Sequence, residues 1–355
     1  MTTGRAAAQA LAGALVEAAG DQIRAVLLYG SRLLDAAPDR YSAYDFVVIV
    51  EGYDRFYRDL RSRGLTHRPP RLMAAVARIL PPNVISFSPQ SSEGPIAKCL
   101  IVSVPHFERE MSSRSRDHFF ISRMIQQVAV LYVSDSRVER WVEGCLAEAR
   151  RTVLSWAAPY VKSPLTPESL ALGMLEICYS SEIRPESGSR ARSIFEAQRA
   201  YLVESVGETL DAAVREGHVR KEGDRYVLTR EPGLLTRVRR RVYLTWSKAR
   251  VTGRWLKHTL TFEGWLPYIV RKVERRTGLR VELSPLERAW PLLFVWPRLI
   301  KVLATRPSEE VEGARALEEG DAVERTDSVE DTERVEDTER VEDTERVEGT
   351  DKEDV

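Results

Sequence analysis

The stretch Tyr44-Asp45-Phe46-Val47-Val48-Ile49-Val50 constrains this chain more than any other. Its consecutive β-branched residues lose side-chain freedom in a helix and pack well on a pleated surface, so it reads as a strand. One carboxylate, Asp45, interrupts it near its start. Upstream, Ala25-Val26-Leu27-Leu28-Tyr29 is a second short apolar run, ending in Gly30-Ser31 as a buried strand does before a tight turn. Two strands joined by a polar loop bring Asp45 close to the Gly-Ser turn.

The rest of the chain is organised around this pair. Ala6 to Ala19 has the apolar character of a secretory core but carries Glu17, with only Arg5 ahead of it, and reads as a first helix packed on the domain. Helices are expected over Asp54–Leu60 and Arg71–Leu80, the latter ended by Pro81-Pro82, and strands over residues 83–87 and 98–103. From His118 onward the periodicity is helical: Phe119–Val133, Val138–Tyr160 and Pro167–Ser180. Between Ser193 and Thr229 two helices precede the strand Arg225–Leu228, an order compatible with a winged-helix-like unit. The expected fold class is therefore an α/β (α+β) domain with a mixed sheet over residues 1–117 and a mainly helical domain over 118–235. A basic aromatic extension over 236–306 and a disordered acidic tail over 307–355 follow.

The 355 residues suffice for two domains and an appendage, and 43% apolar content suffices for buried cores. A formal net charge of zero hides a separation of sign: residues 237–306 hold 17 Lys or Arg against four Glu and no Asp, and the stretch after Pro307 is rich in Glu and Asp. Cys99, Cys145 and Cys178 lack metal-type spacing and cannot all pair, which fits a reducing compartment. The apolar run 289–297 is far shorter than the ~20 residues of a spanning helix. In the tail, Val-Glu-Asp-Thr-Glu-Arg recurs at Val329, Val335 and Val341, and one Val per six residues cannot build a core.

Transfer of a nucleotide from a nucleoside triphosphate needs backbone donors around the phosphates, a carboxylate-held Mg²⁺ and an aligned nucleophile. In that chemistry Gly30 lets the backbone approach phosphate, Ser31 offers a hydroxyl and an amide, and Asp45 binds metal. A second carboxylate commonly stands two residues after the first, on the same face. Here that position is Val47, so the second ligand is expected from Glu51, Asp54 or Glu182.

Several short stretches, in order, resemble the mitochondrial-type phosphatidate cytidylyltransferases, the translocator assembly and maintenance family. Tyr29-Gly30-Ser31 is similar to that family's Tyr/Phe-Gly-Ser-Gly loop, and Asp45–Glu51 to its Asp-Phe-Val-Phe-x-Val-Asp strand, which also lacks the second strand carboxylate. His67 falls where the family has a His, Lys98 near the head of a strand similar to Lys-Tyr-Gly-Val-Ile-Ser, and Arg123 in a helix similar to Ala-Gly-Arg-Leu. Tyr179–Arg184 resembles Tyr-Ser-Gly-Asp-Phe-Arg.

The resemblance spans about residues 25–184. It implies a nucleotidyltransferase-like fold and Mg²⁺-dependent cytidylyl transfer from CTP to phosphatidate, giving CDP-diacylglycerol and pyrophosphate. It implies Asp45, Lys98 and Glu182 as catalytic, Gly30, Ser31, Arg123, Arg184 and His67 around the nucleotide, and Asp45 with Glu51 on the metal. The chain departs from the family at Arg32 after Gly-Ser, at Tyr57 in place of His, at Glu182 in place of Asp, and in a shorter 67–83 segment. These departures bear on the acceptor: a small phosphorylated molecule, RNA, a protein, or no acceptor at all in a non-catalytic membrane-associated relative.

Residues 237–306 add Tyr243, Trp246, Trp255, Phe262, Trp265, Tyr268, Trp290, Phe294 and Trp296 to their basic excess. Cations beside Trp and Tyr suit an anionic headgroup layer, and no recognisable RNA module accompanies them. A phospholipid surface, rather than nucleic acid, is the expected partner, with the protein in the cytoplasm on the inner face of a membrane.

Overall fold

The computed structural model describes residues 3–34, 43–89, 95–181, 187–261 and 284. Met1–Glu263 forms one compact unit and Gly264–Val355 another, and every element below belongs to the first. The acidic repeat and all the expected extension after Thr261 except Ser284 lie outside the described residues.

Helix α1 (Thr3–Ala19) buries Ala8, Leu11, Ala12, Leu15 and Ala19, the i, i+3, i+4, i+7 spacing of one helical face. Five strands follow: β1 (Ile23–Tyr29), β2 (Tyr44–Val50), β3 (Asn83–Phe87), β4 (Ala97–Ser103) and β5 (Ala129–Val133), in the sheet order β3-β4-β2-β1-β5. The sheet is mixed: β2 and β4 run parallel and the other pairs antiparallel. The β2–β4 crossover carries helices α2 (Tyr53–Ser62) and α3 (Pro70–Ile79). These pack with α1 on one face of the sheet, over Phe46, Val48, Val26, Leu28 and Cys99. Alternate residues such as Val47, Ile49, Leu27 and Leu100 are equally buried on the other face.

That second face is covered by α4 (Val104–Glu110), α6 (Ser136–Arg151) and α11 (Leu234–Thr261), lying against β2, β1 and β3 respectively. Between α4 and α6 come the single turn α5 (Ile121–Met124) and β5. Asp135 caps α6, its side chain accepting from Arg137 N at 2.8 Å and Val138 N at 3.1 Å. After α7 (Val153–Ala157), a Thr166–Ser169 capping box with Pro167 in the first turn starts α8 (Pro167–Ser180). Helices α9 (Ser187–Ala197) and α10 (Arg199–Arg215) lead to the hairpin β6 (Val219–Glu222) and β7 (Arg225–Leu228). Tyr226 also forms a bridge with Leu165.

One expected helix is corrected. Phe119–Val133 is α5 and then strand β5, whose Val133 and Ala129 stand opposite Ala25 and Leu28 of β1. The sheet thus takes its last strand from beyond residue 117. A five-residue apolar run shows no period that separates strand from helix, and the free edge of β1 decides it.

Helix α11 is fixed to the sheet domain by buried charge. Asp117 Oδ2 accepts from Arg254 at 2.7 Å and from Arg250 at 2.8 Å, and Arg254 also donates to the Pro81 carbonyl at 2.6 Å. Lys257 donates to the Leu80 and Pro82 carbonyls and to Asn83 Oδ1 at 3.0 Å. Burial works against ionisation of Asp117, but the Arg254 charge and hydrogen bonds from Arg254, Arg250 and the Phe119 N–H outweigh it and hold the carboxyl below its ordinary value.

Asp117→Asn should therefore destabilise the fold by about 3 kcal/mol, because it leaves buried guanidinium charge uncompensated. The pH sign follows from the lowered pKa: the stabilisation is complete above about pH 4 and is lost as pH falls through the native value. Urea titrations of both proteins at pH 7 and pH 3 check this, with the gap between them narrowing at the lower pH.

Candidate functional site

Tyr29 stands opposite Asp45 across β1–β2, and Asp45 opposite Lys98 across β2–β4. The chain turns at Gly30, with φ at +84°, and Leu33 N donates back to Gly30 O at 3.0 Å while Leu34 N donates to Ser31 O at 3.3 Å. A Cβ on Gly30 would lie 3.1 Å from Asp45 Oδ2, so the carboxylate rests directly on the glycine backbone. Lys98 Nζ is 3.9 Å from Asp45 Oδ1, and both side chains are about one-third exposed. A glycine turn, a carboxylate and an ammonium group thus converge at one end of the sheet, in contact with solvent.

Cations from other elements extend this corner. The α5 residue Arg123 lies with its guanidinium 3.8 Å from the Phe119 ring centroid and donates to Phe119 O at 2.7 Å. Arg254 lies 4.7 Å from the same ring, which joins α5 to α11. One turn further along α11, the partly buried His258 has no hydrogen-bond partner for its shielded Nε2 atom. Burial first, then the charges of Lys257, Lys98, Arg254 and Arg123, push its pKa down to about 2, so the ring is neutral throughout the physiological range. The motif reading passed over His258; its only sequence signal is the Arg250, Arg254, His258 spacing on a helix without Asp or Glu.

The expected second metal ligand is corrected. Glu51 follows the opposite end of β2, six residues from Asp45 and so about 20 Å away along the strand. It pairs with Arg24 at 2.7 Å, and Asp54, one turn on, pairs with Arg78. Neither shares a cation with Asp45. Glu182 and Arg184 lie outside the described residues.

His67 sits in the turn between α2 and α3, which departs from that far end, and its carbonyl accepts from Arg61. Tyr57 is a core residue, fully buried beside Phe56 and Tyr53, and burial holds its hydroxyl well above the ordinary phenol value. Arg32 lies 5.0 Å from the Tyr44 ring, on the sheet face that Tyr44 occupies and Asp45, its neighbour in the strand, does not.

Among the described residues no three His, Cys, Asp or Glu side chains form a metal cluster. One carboxylate is nonetheless a sufficient protein ligand for a magnesium ion whose remaining positions are filled by substrate phosphate oxygens and water. Asp45, about one-third exposed and flanked by Lys98, fits that arrangement.

No family model and no curated protein matches this chain. Among solved structures it is similar to a nucleotidyltransferase-like protein from Exiguobacterium sibiricum 255-15, at 8% identity and a TM-score of 0.25, covering 75% of this chain and 80% of that one. At that TM-score the likeness decides neither fold nor chemistry, which rest on the sheet and side chains of this chain.

Gly30→Ala should destabilise the protein by about 1–2 kcal/mol, since alanine at positive φ is strained and its methyl meets the Asp45 carboxylate. Thermal melts compared with Gly64→Ala, also at positive φ but with no atom within 4 Å of the added Cβ, separate strain from collision.

Proposed function

We propose that this protein is a Mg²⁺-dependent nucleotidyltransferase, and that the reaction is cytidylyl transfer from CTP to phosphatidate. The observation that carries the reading is the Asp45 carboxylate seated on the Gly30 backbone with Lys98 beside it in register. Triphosphate needs close backbone approach, a metal-holding carboxylate and cations, and the Gly30 turn, Asp45 and Lys98 support that reading.

Bound magnesium would neutralise charge on the triphosphate. Asp45 would hold the ion, Lys98 would meet non-bridging phosphate oxygens, and the Arg123 guanidinium would contribute from the α5 side. An oxygen of the lipid phosphate monoester forms the new bond to the α-phosphorus as the bond to the β-phosphate oxygen breaks. CDP-diacylglycerol and pyrophosphate are the products. The acceptor is already ionised and nucleophilic, so no covalent enzyme intermediate is needed. Ser31, His67, Glu182 and Arg184 enter on the family resemblance alone.

The test is pyrophosphate release with Mg²⁺ and each of the four nucleoside triphosphates, with and without phosphatidate liposomes. Release should require CTP and phosphatidate together. Asp45→Asn should lower it by about two orders of magnitude or more. Its stability should change by less than about 1 kcal/mol, because the Lys98 pair is part exposed. Wild-type turnover in the variant would remove Asp45 from the mechanism. Release independent of lipid would retain nucleotidyl transfer and discard the phosphatidate acceptor.

A further inference from the structure

Helix α11 presents two different faces. Tyr243, Ser247, Val251, Arg254, Lys257 and Thr261 recur every three to four residues, the period of a single stripe, and this stripe meets the protein: Ser247 accepts from His118 N, and Arg254 and Lys257 reach Asp117 and the Pro81-Pro82 segment. On the first half of the helix a second stripe points elsewhere. Leu234, Leu235, Val238, Val242 and Trp246 are 79%, 82%, 51%, 63% and 59% exposed. At 100° per residue they span an arc of about 120°, centred roughly 130° from the protein-facing stripe. Arg237, Arg241 and Lys248 border this apolar arc on one side and Arg239 on the other, all exposed, and the helix contains neither Asp nor Glu.

We infer that the exposed stripe of α11 is a docking surface for an anionic phospholipid bilayer, with its Leu, Val and Trp side chains in the acyl boundary and the bordering Arg and Lys on lipid phosphates. Charge and shape both point to this occupant. A basic helix without acidic residues is repelled by a cationic surface and gains no charge attraction from a neutral one, and a row of aliphatic side chains bordered by cations on both sides matches the layered polarity of a bilayer interface. Nucleic acid would meet the same cations but gains little from Leu and Val, since base stacking needs aromatic platforms and only Trp246 offers one. Among the described residues no helix is long and apolar enough to cross a membrane, so contact through α11 is in the plane of the interface.

The helix is also a rigid lever. Its anchored half is held to Asp117 and to the Pro81-Pro82 segment leading into β3, whose Ser86 stands opposite Lys98. Docking of the exposed half would therefore set the orientation of the Asp45–Lys98 corner relative to a lipid surface. That consequence rests on the functional reading above; the docking itself does not.

The experiment is flotation of the full chain with vesicles of phosphatidylcholine alone or with 30% phosphatidate or phosphatidylserine, without nucleotide, beside Val242→Glu/Trp246→Glu. Both substitutions are at exposed positions, and circular dichroism checks that the fold is kept. Wild type should float with either anionic vesicle, not with the neutral one, and release as salt rises; the variant should bind about tenfold or more weakly. Unchanged anionic-vesicle binding by the folded variant overturns the proposal, as does failure of wild type to bind. Loss in the variant of single-stranded oligonucleotide binding, or of self-association measured by sedimentation, with vesicle binding unchanged, assigns the stripe to those partners instead. Vesicle binding without pyrophosphate release would retain the surface and remove the proposed reaction.

Discussion

The register of β2, antiparallel to β1 and parallel to β4, is the constraint on which the rest depends. It sets Asp45 between Tyr29 and Lys98 and leaves the Gly30 turn to pass over the carboxylate. A slip of one residue would turn Asp45 into the face packed by α1, α2 and α3 and expel Phe46 or Val48 from it. The burial of alternate residues on both faces forbids that slip, so the position of the Asp45–Gly30–Lys98 corner is enforced by the core beneath it.

A second constraint brings distant sequence to the same corner. Asp117 is buried against two guanidinium groups from α11, more than 130 residues later, and the Phe119 ring beside it carries both Arg123 and Arg254. Buried charge is expensive unless paired, so this cluster fixes the place of α11 more specifically than apolar packing would. Lys257 and the neutral His258 ring are then set close to the sheet, within range of the Lys98, Arg254 and Arg123 charges. Asp45 is the carboxylate beside Lys98.

Helix α11 thereby joins two levels of organisation. Its buried face satisfies the charges of the domain, and its exposed apolar stripe cannot be explained by packing within the described residues. The same absence of acidic residues serves both faces: on one, Arg and Lys meet Asp117 and backbone carbonyls; on the other, they border Leu, Val and Trp.

Strands β1 to β4 and β7, helices α1 to α3 and α8, and the apposition of Asp45 with Gly30 were legible in the sequence because they rest on local properties: β-branched runs, helical periods, a glycine before a polar loop, and prolines. Cys99, Cys145 and Cys178 are buried. The sequence did not settle β5, since a five-residue apolar run takes its conformation from the strand edge it meets. Nor could it exclude Glu51 as a metal ligand: it lies close to Asp45 in sequence, but an extended chain carries it about 20 Å away. Arg32, Tyr57 and His258 were likewise sorted only by tertiary structure, which sends the first over Tyr44, buries the second and brings the third within range of the Lys98 charge. Sequence by itself determined which segments must be buried and which residues carry charge. Only the folded chain decided which charges meet, because long-range register and buried ion pairing depend on partners that no local pattern specifies.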